Sequence, residues 1–223
     1  MKIVKADYRI IKPDLDDPDV YWDILQDVTK SGRIAYADSF STDEISDIKA
    51  EEFVRRLIRD GHESVLEHIN MRVLFTVDRG ISHELVRHRL ASFTQSSTRY
   101  CNYSKDKFGN EITVIRPCYL DDNASGKFNT WSRCMVDCEN AYFMLLQQGC
   151  TPQEARAVLP NSLKTEVMMT ANLREWRHIL SLRAAGSTGK PHPQMLEVMV
   201  PLLNELKLKM PAVFEDIEPM EVE

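Results

Sequence analysis

Residues 68–77 read His-Ile-Asn-Met-Arg-Val-Leu-Phe-Thr-Val. Ile69, Met71, Val73, Phe75 and Val77 alternate with His68, Asn70, Arg72, Leu74 and Thr76. A period of two places one set on each face of a strand, so the stretch predicts a half-buried strand. Upstream the period is helical. Ser41-Thr42-Asp43-Glu44 has the form of a capping box, and Ile45, Ile48, Phe53, Val54, Leu57 and Ile58 follow at helical spacing until Gly61 supplies a stop. Asp17-Pro18 opens an earlier helix, to about Lys30, and residues 2–11 carry the β-branched and aromatic residues of a first strand. Downstream, Gly80 punctuates and ISHELVRHRL (residues 81–90) fits a short helix, whereas residues 91–111 show no period and predict a long ordered loop. A strand near Ile112–Arg116 and a helix from about Ser125 to Gln148 come next.

Thr151-Pro152-Gln153-Glu154 is a second capping box, with proline at the first helical position, and Pro160 ends its helix. Residues 162–171 predict a strand. Asn172-Leu173-Arg174-Glu175 caps a helix to about Ala185, and residues 186–193 form a turn. Gln194–Met210 is helical with an expected kink at Pro201. Without repeat, low-complexity block or linker, the expected class is α+β: a single domain over residues 1–223, a mostly antiparallel sheet flanked by helices, and a frayed acidic tail from Glu215 to Glu223.

Composition narrows the function. In 223 residues, 43% are hydrophobic, enough for a core, and 28 basic against 34 acidic residues leave a net charge of −6. That balance argues against a protein that coats polyanions, and the lack of an 18-residue apolar run argues against a membrane helix. MKIVKADYRI reads as a strand and not as a signal peptide, so the expected location is the cytoplasm. The five cysteines (Cys101, Cys118, Cys134, Cys138 and Cys150) contain no CxxC pair. They read as unpaired thiols in a reducing compartment, and no metal site is expected.

The chemistry gathers first in residues 87–100, RHRLASFTQSSTRY, where three arginines, one histidine and five hydroxyls precede Tyr100 with no acid among them. Guanidinium forks and hydroxyls bind phosphate through charge-assisted hydrogen bonds. Phe93 and Tyr100 offer ring faces to a flat heterocycle. On a helix, neighbours point about 100° apart, so Arg87, His88 and Arg89 would not all meet one small ligand. The same residues would equally suit a solvated basic face paired with acids elsewhere.

The helix after Asn172 is the second source. At about 100° per residue from Arg174, Trp176 falls near 200°, Ile179 near 140°, Leu180 near 240° and Arg183 near 180°. Arg183 thus points along the apolar face, while Arg174, Arg177, His178 and Ser181 share the opposite one. A cation aimed into a core needs an anion, either a bound ligand or a distant carboxylate, unless it snorkels out to solvent at a frayed last turn. Other motifs fail on spacing. His83-Glu84 with His88 is one residue too long for a zinc-protease helix, and Gly186–Lys190 lacks the first glycine and the hydroxyl of a phosphate loop.

Four segments in register carry a resemblance. Arg87-His88-Arg89, seven residues, then Ser97 with Arg99-Tyr100 matches the RHR-x7-S signature of flavin-dependent thymidylate synthases. His62-Glu63-Ser64-Val65-Leu66-Glu67-His68 resembles that family's HExxxEH segment, and Arg156-Ala157-Val158-Leu159-Pro160 its ARxVLP segment. Thr170 to His178, ending in Leu182-Arg183, is similar to its TxNxRxxxxFxxLR helix.

The resemblance implies reductive methylation of dUMP to thymidylate, with methylenetetrahydrofolate donating the carbon, FAD reduced by NADPH supplying the hydride, and no cysteine nucleophile. It also implies a homotetramer with flavin sites between subunits and no nucleic-acid or membrane partner. By position, His68, Asn70, Arg87, His88, Arg89, Gln95, Asn172, Arg174 and His178 would approach FAD. Glu84, Leu85, Val86, Arg87, Gln95, Ser96, Ser97, Thr98, Arg99 and Arg156 would hold dUMP, and Arg183 would favour its N3-deprotonated uracil. Ser97 would bind nucleotide without acting as a nucleophile. Gln95 stands where many relatives have glutamate, and His192-Pro193-Gln194 resembles the family's H-x-Q. The competing reading is a non-catalytic binder of nucleotide or single-stranded nucleic acid, built on arginines interleaved with Phe93, Tyr100 and Tyr103. The net charge of −6 counts against it.

Overall fold

The computed structural model describes residues 1–35, 45–120 and 126–221. In chain order its elements are β1 (Lys2–Val4), β2 (Asp7–Lys12), α1 (Pro18–Ile34), α2 (Asp47–Arg59), β3 (Asn70–Asp78), α3 (Arg79–Leu85), β4 (Ser92–Gln95), β5 (Thr113–Ile115), α4 (Lys127–Gln147), α5 (Pro152–Ala155), β6 (Lys164–Asn172), α6 (Leu173–Arg183), α7 (Pro193–Lys209) and α8 (Pro211–Phe214). Strands β2-β3-β6-β4 form a four-stranded sheet, and β1 pairs in parallel with β5. Arg79 N donates to Asn161 O just past one end of β3, and Leu173 N to Ile69 O at the other. Rising numbers opposite falling ones make β3 and β6 antiparallel. The α+β class and the mostly antiparallel sheet hold.

The chain divides into two compact units. The first comprises Met1–Asp7, Phe75–Arg87 and Phe93–Met168, and the cluster of Tyr103, Ile112, Val114, Met135, Tyr142, Ala155 and Leu163 is buried within it. Here the Thr151 capping box forms as expected, with Glu154 Oε2 accepting from the Thr151 amide at 2.7 Å. The second comprises Tyr8–Leu74, His88–Ser92 and Met169–Glu223, and buries Leu25, Val28, Leu57, Trp176, Leu180, Leu203 and Phe214. Each such side chain contributes about 1.5–3 kcal/mol on leaving water. Trp176 Nε1 donates to the Met71 carbonyl at 3.0 Å, satisfying the one polar atom this indole brings inside.

The alternation is obeyed from Asn70 to Val77, with Met71, Val73, Phe75 and Val77 buried, whereas His68 and the half-buried Ile69 precede the strand. Asp17 Oδ1 caps α1. The capping box at Ser41–Glu44 lies outside the described residues, and α2 begins after Ser46.

Other expectations are corrected. Residues 2–11 form two strands in different sheets, because the chain leaves the first at Lys5-Ala6. Gly80 lies inside α3, not at its border, because Asp78 Oδ1 accepts from the Ile81 amide at 2.7 Å and caps the helix ahead of the glycine. The same helix stops at Leu85, so Arg87-His88-Arg89 is not helical. Residues 91–111 are not one loop: they contain β4 and a 3-10 turn at Asp106–Phe108. A four-residue strand is too short to show a period.

Pro201 sits inside α7 (Pro193–Lys209). The acidic end is anchored through Met220 instead of frayed. Arg55 pairs with Glu215, Arg177 with Asp216, Ile217 is buried, and the Met220 amide donates to the Ala184 carbonyl at 2.8 Å.

Candidate active site

In the second unit, α6 starts where Asn172 Oδ1 accepts from the Glu175 amide at 2.8 Å, the N-cap bond its sequence forecast. The Leu173–Ile69 backbone bond sets this cap beside the start of β3, so Asn172 and Arg174 neighbour His68 and Asn70. His68, Asn70, Arg174 and His178 are exposed. Arg174 makes an exposed ion pair with Glu67.

At the other end of α6, Arg183 Nε donates to His88 Nε2 at 3.2 Å. A ring nitrogen that accepts carries no proton, which leaves the proton of a neutral imidazole on Nδ1. His88 Nδ1 faces Glu175 Oε1 at 3.9 Å, beyond hydrogen-bond range. Both His88 and Glu175 are buried. Burial, reinforced by the charges of Arg183 and His178, pushes His88 down to about 4. Burial likewise raises the Glu175 carboxyl, against a smaller opposing pull from His178. His88 is therefore neutral at pH 7 and accepts from Arg183 without cancelling its charge.

Arg183 is half-buried, and the buried arginine of α6 is Arg177, at 8% exposure. The helical wheel assigned Arg177 to the polar face. At Arg177 alone that face is covered by the chain after α7: Arg177 binds both Asp216 oxygens at 2.7 Å, Glu63 Oε1 at 3.2 Å, and the Val213 carbonyl. Glu63 and Asp216 were the missed signal, since a cation on a covered face demands such acids. Glu175, which lies off the Arg183 axis in the wheel, turns out to face His88 instead.

The RHR triplet alternates, with Arg87 and Arg89 exposed and His88 buried between them. Leaving the helix after Leu85 frees these side chains from the spacing of about 100° that a helix imposes.

In the first unit, Gln95 ends β4, and its Nε2 donates to Ser82 Oγ at 2.9 Å and Thr165 Oγ1 at 3.1 Å. Ser96 N donates to the Glu166 carbonyl. A turn follows in which the Ser97 carbonyl accepts from the Tyr100 and Cys101 amides, and Ser97 Oγ from the Arg99 amide at 3.2 Å. Arg99 Nε donates to Gln153 Oε1 at 3.1 Å, which ties it to α5, the helix whose C-cap is Arg156. Arg99 also stacks over Tyr100, 5.5 Å from the ring centre.

Arg87, Ser96, Arg99 and Arg156 are exposed, Ser97 and Thr98 half-buried. Glu84 is half-buried and Val86 exposed, whereas the Leu85 side chain is wholly buried and can offer a ligand only its backbone. His192 caps α7, its Nδ1 accepting from the Gln194 amide at 3.3 Å. Among the described residues, no three His, Cys, Asp or Glu side chains are grouped to hold a metal ion.

Residues 20–212 match the family model described as thymidylate synthase complementing protein. The chain is 31% identical to the flavin-dependent thymidylate synthase of Geobacter sulfurreducens, over 86% of this chain and 81% of that one. To that of Mycobacterium tuberculosis it is 30% identical, over 97% and 88%. The chain belongs to the flavin-dependent thymidylate synthase family. With the Pyrococcus furiosus member it shares 32% identity, and the match spans 71% of this chain but only 66% of that one. Its fold is that of a UMP/dUMP methylase, PolB, from Streptomyces cacaoi, solved with 5-Br dUMP, at a TM-score of 0.74, 22% identity and 96% coverage of both chains.

Proposed function

We infer that this flavin-dependent thymidylate synthase family member methylates dUMP at C5, taking a methylene group from methylenetetrahydrofolate and a hydride that originates in NADPH. The reading rests chiefly on the Arg183–His88 pair, a guanidinium held on a neutral imidazole by a 3.2 Å bond. Arg183 lies against the uracil ring and favours loss of the N3 proton. A fixed cation in a partly desolvated site lowers the pKa of a neighbouring acid. Deprotonation at N3 pushes electron density towards C5, the carbon that attacks the methylene group. Glu84, Leu85, Val86, Arg87, Gln95, Ser96, Ser97, Thr98, Arg99 and Arg156 hold the nucleotide, with Leu85 acting through its backbone. The Arg99–Gln153 bond fits this role, because it orients a guanidinium without neutralising it.

The residues near the α6 cap and the RHR triplet suit FAD, whose pyrophosphate and ring carbonyls require N–H donors. Exposed His68, Asn70, Arg87, Arg89, Arg174 and His178 are such donors, with Asn172, His88 and Gln95 beside them in their respective units. Bound FAD, reduced by NADPH, supplies hydride. The working enzyme is a homotetramer of single-domain chains in which neighbouring protomers complete each flavin site.

The test is reconstitution of the full chain. Added FAD should remain bound through gel filtration, and dUMP, methylenetetrahydrofolate and NADPH together should yield dTMP. A chain that neither keeps flavin nor forms dTMP overturns the reading.

A further inference from the structure

Residues 215–220, which follow α8, run along α6 within the second unit. Near one end of this run, Arg177 donates to both Asp216 oxygens at 2.7 Å. At the other, the Met220 amide donates to the Ala184 carbonyl at 2.8 Å. The numbers rise together, from 216 on 177 to 220 on 184, so the run follows the direction of α6. Four residues of extended chain reach about 13 Å and seven residues of helix rise about 10 Å, so the two spans fit. Between the two contacts Ile217 is buried, and Lys207 Nζ donates to the Ile217 carbonyl and the Glu218 carboxylate, each at 3.0 Å. Those contacts anchor the run independently of Arg177. The ring of Pro219 fixes its own φ, which lowers the entropy lost when Met220 is ordered beside it.

Met220 meets α6 where the helix ends. Arg183 is the last residue of α6, and Ala184 is its C-cap. The Ala184 and Ala185 amides both donate to the Leu180 carbonyl, and the Ser187 amide to the Ser181 carbonyl, so the last turn is closed from within. The Ala184 carbonyl lies past that turn and needs a donor from elsewhere. Ala184 is wholly buried, and a buried carbonyl left unpaired is costly. Met220 supplies the donor. Its side chain also covers the bend that follows: Gly186 has a φ of 68°, and a Cβ there would lie 2.5 Å from Met220 Sδ. Glycine thus suits both the left-handed backbone and the methionine above it.

We propose that residues 217–220 form a strap that sets the direction of Arg183, with Met220 as the positioning residue. The proposal rests on the role given to Arg183 above. His88 holds the far part of the Arg183 side chain, at Nε, across 3.2 Å. Met220 holds the backbone from which that side chain leaves, through the carbonyl of the next residue. A misplacement of about 1 Å can cost about a hundredfold in rate, so an anchor on the residue after Arg183 bears on turnover.

The experiment is a double-mutant cycle on the full chain, with kcat for dTMP formation counted per bound flavin. Counting in this way removes any loss through unfolding, which is all that a merely structural contact would cause. Met220→Pro deletes the amide donor, whereas Met220→Leu keeps the donor and the apolar cover over Gly186. Met220→Pro should lower kcat about tenfold, and Met220→Leu should stay near the parent. In the Arg183→Ala background Met220→Pro should cost nothing further, because the strap acts through Arg183. Amide hydrogen exchange, read by mass spectrometry, should be faster over residues 181–187 in Met220→Pro whether or not the protein turns over. Parental kcat in Met220→Pro, additive losses in the double variant, or unchanged exchange over residues 181–187 overturns the strap and leaves the proposed function standing. A parent that forms no dTMP overturns the proposed function, and the positioning role falls with it.

Discussion

Helix α6 carries Arg177 and Arg183 less than two turns apart, and they have opposite surroundings. Arg177 is buried among the carboxylates of Glu63 and Asp216 and the carbonyl of Val213, and its charge is answered within the chain. Arg183 is half-buried, and its Nε donates to an imidazole that burial keeps neutral. The same side chain thus serves two ends. One arginine fastens the chain after α7 to α6. The other is held at its Nε by an uncharged partner, His88.

That contrast breaks most visibly at Arg183. Arg183→Ala should lower kcat for dTMP formation by about 10²–10³, the cost of removing one preorganised electrostatic group, with FAD retention and melting temperature nearly unchanged. Steady-state kinetics beside a visible spectrum separates the two. Loss of flavin along with activity would make Arg183 a cofactor residue instead.

Arg177→Met should do the reverse. It strands Glu63 and Asp216, which are partly exposed and can rehydrate, so the expected loss is about 2–3 kcal/mol of stability, below the full penalty of a wholly buried pair. Urea unfolding measures it, and kcat per folded molecule should hold. Arg177 also keeps the Asp216 carboxyl below its ordinary value, so that share of stability is present at neutral pH and is lost as pH falls through the acid range below Asp216's ordinary pKa of 3.8.

Legibility followed length and geometry. The strand at residues 70–78 was readable because nine alternating positions overdetermine a face. The Asn172 cap and the Thr151 box were readable because each is a local bond between residues three apart. Of the candidate site, the residue types and their order were visible, but their settings were not. A helical wheel gives azimuth on one helix and is blind to what packs against either side. It therefore put Arg183 in the core and Arg177 in solvent, when Glu63 and Asp216, 114 and 39 residues away, decide otherwise. The RHR triplet was misread for a related reason, since nothing local marks Leu85 as the end of α3.

The His88–Glu175 pair sharpens the comparison at smaller amplitude. His88 titrates near 4 when folded and near 6.5 when unfolded, so between those values the unfolded chain binds more protons, and stability falls as pH drops from 6.5 to 4. Glu175 is raised when folded, so above 4.5 the folded chain holds more protons, and stability falls as pH rises through that carboxyl's folded value. The two slopes oppose, each bounded by about 1.4 kcal/mol per pH unit. His88→Gln should unmask the Glu175 slope, and Glu175→Gln the His88 slope, in melting temperatures taken from pH 4 to 7. Identical profiles in parent and variants would mean that neither group has a shifted pKa.

The smallest effect belongs to a third arginine of the same helix. Arg174 and Glu67 are each about half exposed, and an ion pair in water is worth only about 0–1 kcal/mol. Glu67→Gln should therefore leave the urea midpoint within error, and any change should shrink further at high salt. Freed from Glu67, the Arg174 guanidinium becomes a better donor to an anionic ligand, so FAD should dissociate from Glu67→Gln no faster than from the parent. A variant that unfolds readily would show that Arg174, like Arg177, serves the fold. A stable variant that loses FAD would show that Glu67 holds Arg174 in the direction the flavin needs. On the proposed function, burial along α6 sorts its three arginines, with structure where water is excluded, chemistry where exclusion is partial, and ligand contact where the side chain lies open.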